Sequence, residues 1–263
     1  MASTLDLNGC CAITYGHLLA RFLLGGSLHP GELPLTSRLF DLMGIDSTSR
    51  VLDVGAGLGA TSVHLTRSVG CHVTGVTLRE DGIVAGIELA ADNGVQDRGR
   101  LVHGDIMKVD LAGEQFDFIS MECVLSILDC KSAALRRLRA LLRPGGRVGL
   151  TDVTVSGPRP QDMQGLRATV GCVDGALSLG EYGDLMTGEG LVIEHRRDCR
   201  DVAGTFMADA QSKVILFEIA SKIGELPVAD GILAEAQRLF ALARDLVARR
   251  VLGYGLLVAR SPG

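Results

Sequence analysis

Arg50 to Thr61 reads RVLDVGAGLGAT. Val51–Val54 is a short apolar run of the length of a buried parallel strand. Gly55, Gly57 and Gly59 follow at two-residue spacing. Val63, Leu65 and Val69 then stand among polar residues, as on an amphipathic helix. Strand, glycine turn and helix make the first half of a nucleotide-binding βαβ unit. Glycines there accept positive φ and let a ligand approach the backbone with no Cβ in the way. The helix after Gly59 adds unpaired N–H groups facing the same point.

The chain of 263 residues suits one large α/β domain or a core with added caps. With 47% hydrophobic and 22% charged residues it has the composition of a globular protein. A net charge of −5 gives no footprint for nucleic acid. The clusters Arg136, Arg137, Arg139 and Arg196, Arg197, Arg200 are read as solvated faces. No apolar run is long enough to span a membrane. Asp6, His17 and Arg21 disqualify the N-terminus as a signal peptide, so a cytoplasmic protein is expected. The seven cysteines (10, 11, 71, 123, 130, 172, 199) form no CxxC pair, which argues against a disulfide framework or structural zinc.

Along the chain, residues 11–24 have helical spacing, SLHPGELPLT is a loop, and Ser37–Met43 is a short helix. Strands are expected at Cys71–Leu78, Arg100–His103, Phe116–Met121, Arg147–Val153, Leu191–His195 and Gly253–Ala259. Helices are expected at Ile83–Asp92, Ser132–Leu142, Glu181–Met186, Thr205–Ile223 and Ile232–Arg250, with irregular chain over Ser156–Gly180. Strands alternating with helices predict a doubly wound, mostly parallel α/β sheet with its ligand edge at the strands' C-terminal ends. That edge collects the glycine turn, Thr77-Leu78, Asp105, Glu122-Cys123 and Asp152.

Two ligand classes suit the turn. Gly55-Ala56-Gly57-Leu58-Gly59-Ala60 satisfies the dinucleotide pattern G-x-G-x-x-G/A. S-adenosyl-L-methionine is the other. Strand two ends in Thr77-Leu78-Arg79 without a terminal acid, and no Tyr-x-x-x-Lys of a hydride-transfer site occurs. Asp53 before the turn and Asp105 after the third strand favour the methyl donor.

In order, VLDVGAGLGAT, VTGVTL, HGDIM, FDFISMEC and LLRPGGRVGLTDV resemble the class I S-adenosylmethionine-dependent methyltransferases over residues 50–155. The resemblance implies a Rossmann-like seven-stranded sheet with an antiparallel last strand. It places Asp53, Gly55, Ala56 and Gly57 at the methionine part, Thr77 and Leu78 by the ribose, and Asp105 and Ile106 around the adenine. Glu122 is a further cofactor contact. Residues 1–45 are expected to form an N-terminal helical lid on a methyltransferase domain at 46–263. Cap segments are expected at 155–180 and, as a helical insertion before the last strand, at 201–250.

MECVLSILDCKSAALRRLRALLRPGGRVGLTDV followed by GCVDGALSLGEY is also similar to the arsenite methyltransferases. That likeness makes Cys172 a candidate metalloid ligand, with Cys10, Cys11 and Cys199 as further thiols. Methyl transfer from a sulfonium needs alignment and exclusion of water more than a catalytic dyad. The catalytic or substrate-anchoring candidates are Tyr15, His17, Glu122, Asp152 and Cys172, with no catalytic metal. The expected activity is methyl transfer to a small-molecule acceptor, without nucleic-acid or membrane partners and with a homodimer as the assembly to test. Metalloid or thiol methylation, an NAD(P)-dependent oxidoreductase and a non-catalytic S-adenosylmethionine-binding protein are the alternatives.

Overall fold

The computed structural model describes residues 29–222 and 232–263. In chain order the elements are α1 (Glu32–Met43), β1 (Arg50–Val54), α2 (Ala60–Val69), β2 (His72–Thr77), α3 (Glu80–Asp92), β3 (Gly99–His103) and β4 (Phe116–Glu122). There follow α4 (Lys131–Leu141), β5 (Leu142–Val155), α5 (Gln164–Thr169), α6 (Gly171–Asp174) and α7 (Leu179–Gly188). The chain closes with β6 (Val192–Asp198), α8 (Arg200–Lys222), α9 (Ile232–Ala248) and β7 (Leu252–Arg260). The strands form one seven-stranded sheet in the order β3-β2-β1-β4-β5-β7-β6. β1 to β5 run parallel, and β7 lies antiparallel between β5 and β6. The order reverses at β1 and β4, the switch point where open α/β sheets hold ligands.

Each face of the sheet has its own apolar layer. Leu35, Leu39, Phe40 and Met43 of α1, Leu65 of α2, Ala203 of α8 and Leu246 of α9 bury one face. Leu135 and Leu138 of α4 and Tyr182 and Met186 of α7 bury the other. The Ser178–Glu181 capping box starts α7 two residues earlier than its apolar spacing suggests, and the buried Tyr182 hydroxyl donates to the Val153 carbonyl at 3.2 Å.

Three expectations change. SLHPGELPLT is not a loop throughout, because α1 already begins at Glu32, with Pro34 in the first turn where its missing N–H costs nothing. The described part of the segment expected as a lid, residues 29–45, is packed into the core. α1 lies on the sheet, its Leu39 and Met43 filling the space that Gly149 of β5 leaves open. Ser156–Gly180 is more ordered than its glycines suggest. It carries α5 and α6, and Leu177 bridges to Thr154 at the edge of β5. The helix expected at residues 11–24 lies outside the described residues.

Leu39 is fully buried between α1 and β5. Leu39→Ala is expected to destabilise the fold by about 3 kcal/mol in urea denaturation. A loss below about 1 kcal/mol would show that α1 is a loosely held cover.

Candidate active site

The site is built where β1 runs out. Gly55, Gly57 and Gly59 have φ of 77°, 54° and 83°, in the left-handed region that side chains resist. The N–H groups of Gly55 and Ala56 both donate to the Val76 carbonyl at 2.9 Å, fastening the turn to the end of β2. A Cβ on Gly55 would stand 2.4 Å from Val124 Cγ2. Beside Gly57 the nearest atom to such a Cβ would be the Gly55 oxygen at 3.9 Å, so the bare backbone faces open space. From the other side α3 presses against the turn. A Cβ on Gly82 would come within 2.2 Å of the Gly57 carbonyl oxygen.

The neighbouring strand ends fall into line. Gly104 N–H donates to the Thr77 carbonyl at 2.9 Å, joining the ends of β2 and β3. Thr77 is buried, and its hydroxyl accepts from Arg79 N–H at 3.1 Å. Leu78 is 44% exposed, a large apolar side chain left uncovered at the edge. Asp105 closes a turn in which its Oδ1 accepts from Met107 N–H at 2.9 Å. Its Oδ2 lies 3.6 Å from Lys108 Nζ. Ile106 is buried, and Arg137 Nε donates to its carbonyl at 2.6 Å. Gly55, Ala56, Gly57, Thr77, Leu78, Asp105 and Ile106 thus share one edge.

Asp53 behaves differently from its neighbours. Its side chain points inward, only 3% of the residue is exposed, and Ser62 Oγ donates to its Oδ2 at 2.6 Å. Burial pushes its carboxyl up to about 7; the Ser62 hydroxyl opposes the rise and the negative Glu122 adds to it. Asp53 therefore braces α2 beneath the turn.

Glu122 ends β4, one residue beyond the Val54–Met121 pair, and so stands beside Gly55. Three polar groups converge on its buried carboxylate. Thr36 Oγ1 donates at 2.7 Å and Thr61 Oγ1 at 3.1 Å, while His29 Nε2 lies 3.5 Å away. The sequence reading missed these three. His29 and Thr36 lay in a stretch read as loop, and only the His-Pro-Gly at 29–31, a tight turn holding a histidine, could have marked the place.

Cys123 adopts a φ of 55°, an uncommon conformation for a residue with a side chain. Its N–H is held by the Thr151 carbonyl at 2.8 Å, and its Sγ lies 3.2 Å from Tyr254 Oη. Burial raises this thiol well above its ordinary range, so it is no ready nucleophile. Asp152, a candidate base, is instead a structural cap: its buried carboxylate accepts from the N–H groups of Ser126 at 2.9 Å and Val153 at 2.8 Å. Burial lifts it to about 6. Cys172 is 4% exposed in α6. Tyr15 and His17 lie outside the described residues.

With this geometry in hand, comparison with known proteins is specific. Residues 51–146 match the family model described as a methyltransferase domain. A methyltransferase of Streptomyces halstedii is 28% identical over 47% of this chain and 44% of its own length. An arsenite methyltransferase of Halobacterium salinarum is 32% identical over 50% of this chain and 34% of its own. The chain thus spans less than half the length of both relatives. Among solved structures, a Haemonchus contortus phosphoethanolamine N-methyltransferase in complex with S-adenosyl-L-methionine superposes with a TM-score of 0.84. The match has 13% identity and covers 99% of this chain and 61% of that one. The fold is the Rossmann-like one of S-adenosylmethionine-dependent methyltransferases. The match to the methyltransferase-domain family covers residues 51–146 of the 263.

The raised carboxyl of Asp53 predicts a pH effect on stability. Between the ordinary 3.8 and about 7 the folded state binds more protons than the unfolded state. Asp53's contribution is therefore complete at low pH and is lost as pH rises through that window. Asp53→Asn should remove this loss, so its stability relative to the parent improves by about 1–3 kcal/mol between pH 4 and pH 8 in urea denaturation. A pH-independent difference would contradict the assignment.

Proposed function

We propose that this chain is an S-adenosyl-L-methionine-dependent methyltransferase acting on a small-molecule acceptor. The observation that carries this reading is the bare, left-handed turn at Gly55–Gly59, aligned with Leu78 and Asp105 along one sheet edge. That edge fits a ligand with an amino-acid end, a sugar and a base. The Gly55–Gly57 backbone takes the methionine part, where the missing Cβ atoms leave room. Exposed Leu78 packs against the nucleoside, and the Asp105 carboxylate, whose Oδ2 faces only the exposed Lys108 ammonium among the described residues, accepts from the adenine amino group. When bound, the cofactor supplies the electrophilic methyl group. The protein's part is to hold donor and acceptor in line and keep water out. Neither Asp152 nor Cys123 is poised as a base or nucleophile, in keeping with a reaction that needs mainly alignment.

A second reading has one observation of its own. The two buried thiols of Cys123 and Cys172 lie close enough for a charge on one to disfavour a charge on the other. Paired thiols suit a soft trivalent metalloid as the acceptor, and one relative is an arsenite methyltransferase. Unchanged binding of trivalent arsenic by a Cys172→Ser variant would remove this reading.

Isothermal titration with S-adenosylhomocysteine tests the main proposal. Micromolar binding is expected, with no binding of NADH. Gly57→Ala, which puts one methyl group into the open space beside the turn, should weaken it by about tenfold or more, while positive φ costs the fold only about 1 kcal/mol. Unaltered affinity would mean that the ligand sits elsewhere. Transfer of a labelled methyl group to a component of a small-molecule extract separates an enzyme from a protein that only binds the cofactor.

A further inference from the structure

The run LRRLR at 135–139 reads in the sequence as one solvated basic face, and the structure divides it. Arg136 lies in solvent, its side chain 70% exposed, against Glu189. Arg139 donates to the Glu189 carbonyl at 3.0 Å. Arg137 is half-buried and reaches the other way, to the turn that follows β3. Its Nε donates to the Ile106 carbonyl at 2.6 Å, and a terminal guanidinium nitrogen donates to the Val109 carbonyl. We propose that Arg137 is a positioning residue for the adenine: its fork fixes the 105–109 turn and so aims the Asp105 carboxylate at the adenine amino group. This rests on the methyltransferase reading of the site.

The turn has few other ties. The Gly104 N–H bond to Thr77 fixes where it begins. Asp105 then closes it from within. Its carbonyl accepts from the N–H groups of Lys108 at 2.8 Å and Val109 at 2.7 Å, and its Oδ1 from Met107 N–H. Those bonds shape the turn without joining it to another element. Among the described residues neither the Ile106 nor the Val109 carbonyl accepts a backbone N–H, so Arg137 supplies the donor that each needs. Lys108 is no substitute. Its side chain is 84% exposed and its Nζ lies 3.6 Å from Asp105 Oδ2, a pair that solvent screens.

Arg137 ties the turn to something fixed. Leu135 and Leu138 of the same helix are fully buried against the sheet, and Ile106 enters the same apolar layer. Among the described residues no acid pairs with Arg137, whereas Arg136 has Glu189 and Arg143 has Asp117. Its donors are thus spent on backbone oxygens of one turn. A planar guanidinium can hold two carbonyls three residues apart at once, while an ammonium acts as a single point. Hydrogen bonds weaken steeply as their angle closes. A turn freed at Ile106 and Val109 carries Asp105 out of line, and the loss falls on the adenine contact.

The test is titration calorimetry of the intact chain with S-adenosylhomocysteine and with S-inosylhomocysteine, which has an oxo group in place of the adenine amino group. The parent is expected to prefer the adenosyl ligand by about tenfold or more, because the oxo group offers Asp105 no hydrogen. Arg137→Ala should weaken the adenosyl ligand about tenfold and the inosyl ligand about twofold or less, so the preference falls to roughly twofold. Arg137→Lys should retain an intermediate preference of about fourfold. Equal weakening of both ligands, or no change in either, overturns the inference and leaves the cofactor site standing. A parent without the preference overturns it as well. If Arg137→Ala does not fold, the ratio measured with Arg137→Lys decides alone. If the parent binds neither ligand, the methyltransferase reading falls, and this inference with it.

Discussion

Everything at this site depends on a turn that only glycine can make. The chain must leave β1, reverse into α2, and keep its backbone bare at the point of reversal. Three left-handed residues at 55, 57 and 59 do this. A side chain at Gly55 would collide with Val124, and one at Gly82 would collide with the Gly57 carbonyl oxygen. The neighbouring glycines at 82 and 86 belong to the same constraint, because they let α3 lie against the turn and against Leu101. The turn is thus held from three sides: by the Val76 carbonyl, by Val124 and by α3.

Beneath that turn lies a small buried polar cluster. Asp53 with Ser62, and Glu122 with Thr36, Thr61 and His29, tie β1, β4, α1 and α2 together. Buried polar groups of this kind are costly unless satisfied. Most of these are satisfied by hydroxyls, and His29 Nε2 is the exception. A second polar set at Cys123, Tyr254, Thr151 and Asp152 holds the turn after β4. Side-chain hydrogen bonds therefore tie the edge of the sheet together on both flanks of the switch point.

Much of this was legible in the sequence. β1 to β4 and the 147–153 part of β5 announce themselves as short apolar runs closed by a glycine, an acid or a threonine, whereas residues 142–146 at the head of β5 look like a helix end. Their common edge follows from the parallel winding alone. The antiparallel seventh strand came from family resemblance, since a single strand carries no sign of its partner's direction. α1 was harder. Pro34 and Gly31 look like loop residues, and the contact that explains the helix, Leu39 and Met43 against Gly149, joins positions more than a hundred residues apart. The inward turn of Asp53 was hidden for the same reason: a carboxylate at a ligand edge and one bonded to Ser62 look alike in one dimension. Asp152 likewise looked like a free acid until its cap on Ser126 was seen.

The central claim is that one ligand lies along residues 55–61, 77–82 and 104–107. Amide hydrogen exchange with and without S-adenosylhomocysteine tests it most directly. The account predicts added protection concentrated in those three segments and little change at β6 or α9. Protection elsewhere, or none at saturating ligand, would contradict it.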